Sequence, residues 1–260
     1  MDAAFLSLAL LATGAGAASP AGGLLALLIR PSSLLLSLTV GYAGGVLLGA
    51  MSLEMVPKAL ELANGVEVFL GFVVGVLLVW AFDLYIARGM TAGERAEQLG
   101  EVRQHHRRHR PRGRKVDVIA GATAGEEIVE GLVIGVSAAI GGGTAIVVAV
   151  AIAVDNLAEA LSIAELAQAD DRIERKKRRI LGWTSAVGVS LVVSAFAGFL
   201  LLRGLPADWQ GFLTAVGAGA MLYLATTGLI PEAESHQFEQ SGGLATAAGF
   251  LTMLVITNVA

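Results

Sequence analysis

The chain has 260 residues, of which 55% are hydrophobic and 15% charged, against about 25% charged in an ordinary soluble domain. Mean hydropathy is +0.71, glycine occurs 33 times, cysteine is absent and the net charge is −4. These values exclude a disordered tail, a disulfide-stapled module, a cysteine-based metal site and charge-driven binding of nucleic acid; they describe an integral membrane protein.

A membrane-crossing helix needs about 20 mostly apolar residues. Eight such stretches are predicted, at roughly 3–28, 33–56, 66–87, 117–139, 143–167, 180–202, 209–230 and 242–260. The predicted fold class is an all-α integral membrane protein with eight transmembrane helices. The first stretch has no basic start, only Asp2, and no convincing cleavage site follows it. It therefore reads as span one and not as a removed signal peptide. After span three comes a polar loop, 88–116, containing Gln104-His105-His106-Arg107-Arg108-His109-Arg110. Its histidines could sample a metal, but the surrounding arginines repel a cation. The favoured reading is a solvated loop drawn to anionic lipid.

Charge gives an expected orientation. Of 18 Lys and Arg, 16 fall at Arg30, between Arg88 and Lys115, and between Arg172 and Arg179. Two crossings separate each group from the next, so all three share one face. The other face holds Lys58 and Arg203. The positive-inside rule then puts the basic loops in the cytoplasm and both termini outside. The expected units are 1–87 (spans one to three), 88–116 (basic loop), 117–168 (spans four and five), 169–179 (second basic loop) and 180–260 (spans six to eight).

Spans four and five carry the chemistry. Span four contains Glu126, Glu127 and Glu130; span five contains Asp155, Asn156 and Glu159. No Lys or Arg lies between Lys115 and Arg172 to neutralise them. Glu126 and Glu130 are four residues apart and share one helical face, as do Asp155 and Glu159. Glu127 and Asn156 border those faces. The two spans form a hairpin through Gly141-Gly142-Gly143. Glu130 and Asp155 are 12 and 13 residues from Gly142, roughly 18–20 Å along each helix. Both clusters therefore sit at one depth, near the middle of a hydrocarbon core about 30 Å thick. Each ionised acid there costs roughly 2.5–3.5 kcal/mol, so five would cost on the order of 15 kcal/mol if additive. Either protons or a cation must offset this. Carboxylate and amide oxygens suit a divalent metal. Interhelical polar contact alone explains one or two acids, not five, and a proton relay is a separate functional alternative.

At these residues the chain resembles the ZIP (Zrt/Irt-like protein) family of divalent-metal transporters. Glu126-Glu127-Ile128-Val129-Glu130-Gly131 falls on the family's span-four His-Asn-x-x-Glu/Asp-Gly pattern, and Asp155-Asn156-Leu157-Ala158-Glu159-Ala160 on its span-five motif. Leu53-Glu54-Met55-Val56-Pro57-Lys58-Ala59 and Gly228-Leu229-Ile230-Pro231-Glu232-Ala233 look like its acidic-x-x-Pro-Glu-Ala signature. The resemblance implies a 3+2+3 inverted-repeat bundle. It also implies metal uptake into the cytoplasm by an elevator-like motion of spans one, four, five and six against two, three, seven and eight. Glu126, Glu130, Asp155 and Glu159 would be direct ligands, with Glu127 and Asn156 completing a second or shared site. One or two metals could be held. This chain departs from the family pattern in lacking both motif histidines, the motif prolines (Val129 and Ala158 stand there) and any acid in span six. An all-oxygen site weakens the case for Zn and favours Mn, Fe or other hard ions; Cd remains among the expected substrates.

No reaction chemistry is needed, so the chain is not expected to be an enzyme. Ser137, Ser162 and Ser190 lack a histidine partner in the membrane, and no Gly-x-x-x-x-Gly-Lys-Ser/Thr run signals ATP use. His236 reads as a solvated loop residue. No organic cofactor and no nucleic acid are expected. The expected partners are metal ions and the lipid bilayer, with a homodimer left open. The expected location is a bacterial-type inner membrane. The rival functions are a proton-coupled carrier of another solute and a non-transporting scaffold or regulator of the same fold.

Overall fold

A computed structural model describes residues 3–29, 31–87, 115–141, 143–169, 175–235 and 239–259. The described residues are almost entirely helical, with no strand among them. The helices are α1 (Ala3–Ile29), α2 (Ser33–Ala50), α3 (Val56–Leu62), α4 (Gly65–Ala87), α5 (Lys115–Ile140), α6 (Thr144–Ala169), α7 (Lys176–Leu202), α8 (Ala207–Leu224), α9 (Ile230–Ser235) and α10 (Glu239–Val259). A π-helical turn, Met51–Met55, joins α2 to α3, and another, Ala225–Leu229, joins α8 to α9.

Local chemistry sets the ends. Ser32 caps α2 by accepting the Leu35 N–H at 3.2 Å. Asn64 and Glu67 form a reciprocal box at the start of α4: Asn64 Oδ1 accepts from the Glu67 N–H, and Glu67 Oε2 accepts from the Asn64 N–H. Gly141 ends α5 at φ 83°, a left-handed value that favours glycine, and so turns the chain into α6.

Seven helical segments are long and apolar enough to cross a membrane. The remaining predicted span, span four (α5), is long enough but carries Asp117, Glu126, Glu127 and Glu130 and falls outside the apolar set. Two predicted boundaries also shift. Predicted spans 33–56 and 209–230 run on as helix past Pro57 to Leu62 and past Pro231 to Ser235. Proline normally clashes with the preceding turn. Here a wider π turn ends two residues before it. The Val56 N–H bonds Met51 O and the Ile230 N–H bonds Ala225 O, five residues back in both cases. Both π turns are five residues long and both are followed by one residue and then proline.

Packing divides the helices into two groups. In one, α5 lies along α7, and α1 along both α6 and α7; in the other, α2 lies along α10, and α4 along α8. The groups meet where α2 touches α6 and α5 touches α8 and α4. Small residues allow close approach within each group. A Cβ on Gly45 would overlap Thr246 O of α10, and one on Gly75 would overlap Val216 O of α8.

Candidate metal site

The α5–α6 hairpin brings the acids together as the spacing predicts. Glu127, Glu130, Asp155 and Asn156 are buried, and Glu126 and Glu159 are half-buried. Asn156 Nδ2 donates to Glu127 Oε2 at 3.2 Å, tying the two helices. The Glu130 and Asp155 carboxyl groups lie within electrostatic range of each other. Glu130 Oε2, Asp155 Oδ1 and Asn156 Oδ1 are buried acceptor atoms with no hydrogen-bond donor. No Lys or Arg forms a salt bridge with Glu127, Glu130 or Asp155 among the described residues.

Serines on α7 hold this part of α5 by its backbone. Ser190 Oγ donates to Ala124 O at 2.7 Å, and Ser194 Oγ donates to Glu127 O at 3.2 Å. Span six, which lacks an acid, thus fixes the helix that bears them.

A small enclosed cavity of about 20 Å³ opens beside the acids, at the meeting of the two helix groups. Glu126, Asp155 and Glu159 line it from the hairpin, and Asp83, Tyr223 and Thr227 from the other group. Its size suits one water or one bare ion. Tyr223 Oη donates to Asp83 Oδ2 at 3.1 Å. The six predicted residues therefore divide by position. Three line the cavity, Glu130 adjoins it through Asp155, and Glu127 pairs with Asn156 to one side. Among the described residues no three His, Asp or Glu side chains converge closely enough to hold a metal as they stand. A bound ion would require Glu126, Asp155 and Glu159 to turn toward the common space.

Sequence reasoning missed Asp83, Tyr223 and Thr227. Asp83 carried the same signal as the other acids, a carboxylate inside an apolar helix. Tyr223 and Thr227 are four residues apart across the second π turn, and nothing in their own segment marks them. The second pair of motif acids separates: Glu232 lies within electrostatic range of Asp155, whereas Glu54 accepts a 2.6 Å hydrogen bond from Thr144 Oγ1 at the start of α6. The four histidines, at 105, 106, 109 and 236, lie outside the described residues, as does loop 88–114. No protein-family model matches the chain, and no curated protein matches it in sequence.

Proposed function

We propose that the chain is a divalent-metal transporter of the ZIP type, with eight spans in an inverted repeat and both termini outside, moving metal into the cytoplasm. The observation that carries this reading is the cluster of Glu127, Glu130, Asp155 and Asn156, buried between α5 and α6 with acceptor atoms unmatched by donors. Buried acceptors without donors are what a cation would satisfy. The cavity adds oxygen ligands from Glu126 and Glu159 and a space of atomic size. The metal is the cargo, and an all-oxygen set suits Mn or Fe better than Zn or Cd.

Three features support the repeat. The two π turns have the same length and the same distance to proline. The pairing of α2 with α10 has its counterpart in α8 with α4. The pairing of α1 with α6 has its counterpart in α7 with α5. In this reading α5 also crosses the membrane, as the fourth of eight spans, and its acids are tolerated because they face α6 and the cavity and not lipid.

The neighbouring acids Glu130 and Asp155, buried and without a basic partner among the described residues, also favour a second reading: a proton-coupled carrier of another solute. Uptake of Mn²⁺, Fe²⁺ and Zn²⁺ into liposomes tests both. Glu130→Ala and Glu159→Ala are expected to abolish uptake while leaving the protein folded. Unchanged metal uptake in both variants would end the metal reading. Absence of any metal flux, with proton flux retained, would transfer the case to the carrier.

A further inference from the structure

At one end of α7 an open groove of about 740 Å³ is lined by Arg175, Lys176, Lys177, Arg178, Leu181 and Gly182. Four of its six lining residues are cationic and none is acidic. The neighbouring Arg179 is already committed: its guanidinium grips both carboxylate oxygens of Asp117, which also accepts from Trp183 Nε1 at 2.8 Å. Lys176 Nζ is likewise committed, to Gln168 O. Arg175, Lys177 and Arg178 are exposed, and no acidic side chain among the described residues pairs with them. Residues 170–179 carry six cations against three acids, so the surplus is positive locally.

The floor of the groove is apolar. Leu181 and the aliphatic stems of the basic residues supply it, and a Cβ placed on Gly182 would meet nothing within 4 Å. Below the groove, on the same helix, Val189, Val193 and Leu200 are exposed. Gly182, Val189, Val193 and Leu200 follow at intervals of seven, four and seven residues, which places them on one helical face. A cationic hollow thus continues into an apolar track at the end of a membrane-spanning helix. Basic residues attract any negative surface, but attraction alone explains neither the open floor at Gly182 nor the track beneath it.

We propose that this groove binds the headgroup of one anionic phospholipid, whose phosphate meets Arg175, Lys177 and Arg178 while an acyl chain runs along Val189 and Val193. The proposal requires only that α7 crosses the membrane and stands apart from what the chain transports.

The test uses the full-length protein in neutral detergent, titrated with phosphatidylglycerol or phosphatidylcholine and read by native mass spectrometry. Wild-type protein is expected to retain one phosphatidylglycerol with at least about a tenfold preference over phosphatidylcholine. Two variants, each checked for monodisperse elution, should lose that preference. Arg175→Gln with Arg178→Gln removes charge. Gly182→Leu removes none but fills the floor, and the open space there means that folding is not strained. Wild-type retention by Gly182→Leu would reduce the groove to a diffuse basic field and overturn the proposal. So would equal retention of the two lipids, or displacement of the lipid by inorganic phosphate at equal concentration.

Discussion

Replacing Glu130 by glutamine should stabilise the metal-free protein and remove its response to metal. Glu130 is 2% exposed and lies near Asp155, with Oε2 unmatched by a donor. An ionised acid at that depth costs roughly 2.5–3.5 kcal/mol. Glutamine removes the charge, and its amide can donate to Asp155 Oδ1, which lacks a donor. The expected gain is about 1–3 kcal/mol. At roughly 2–4 °C per kcal/mol for a chain of this size, the unfolding temperature in chelator should rise by several degrees. Metal at a hundredfold excess over Kd stabilises the native state by about 2.7 kcal/mol. Wild-type protein should therefore gain a similar shift on adding Mn²⁺, and Glu130→Gln should gain almost none. Thermal unfolding in detergent, with chelator and with Mn²⁺, measures both terms. If Glu130 serves only to join two helices, the variant should instead be less stable without metal. A loss of stability in chelator together with an undiminished Mn²⁺ shift would refute the reasoning.

Two structural predictions accompany it. Asn156→Leu removes the donor to Glu127, itself 1% exposed, and should lower stability by about 1–3 kcal/mol; combined with Glu127→Gln the loss should be smaller than the sum, as a double-mutant cycle on unfolding temperature would read. Gly45→Leu drives a side chain into Thr246 O and should cost about 3 kcal/mol or more, whereas Gly243→Leu, where a Cβ meets nothing within 4 Å, should leave stability near that of the wild type.

Much of the helical layout was legible because the relevant signals are local. Apolar runs, Gly141 between two long runs and Ser32 ahead of Ser33 mark ends that a reader of the chain can find. Spacing alone put Glu126, Glu130, Asp155 and Glu159 on facing helices, because a short hairpin leaves two antiparallel neighbours little freedom. The π turns were not legible. Met51–Met55 and Ala225–Leu229 share no residue at corresponding positions, and only the proline after each marks the place. Asp83, Tyr223 and Thr227 reach the cavity through tertiary packing between separate helices, which no interval along the chain encodes. The division of labour among the six predicted residues was hidden for the same reason: Asn156 turns toward Glu127 and leaves Asp155 to Glu130.

The glycines bear on how such a protein could move. Within each helix group they seat backbone against backbone. Gly16 meets Gly188 O, Gly131 meets Leu191 O, Gly75 meets Val216 O, and Gly249 meets Tyr42 O. Helices locked at that distance cannot slide without lifting apart. Across the boundary between the groups, the close approaches are to side chains. Gly125 meets the Phe82 ring and Gly217 meets the Val133 methyls, and Thr144 reaches Glu54 through a single side-chain hydrogen bond. Side chains can change rotamer and repack; a peptide carbonyl cannot withdraw. The cavity is lined from both groups, by Glu126, Asp155 and Glu159 on one side and Asp83, Tyr223 and Thr227 on the other. A shift of one group would therefore pull the cavity walls apart while leaving the hairpin acids together. In the proposed transporter, that asymmetry lets the cargo stay with α5 and α6 while the opposing wall changes.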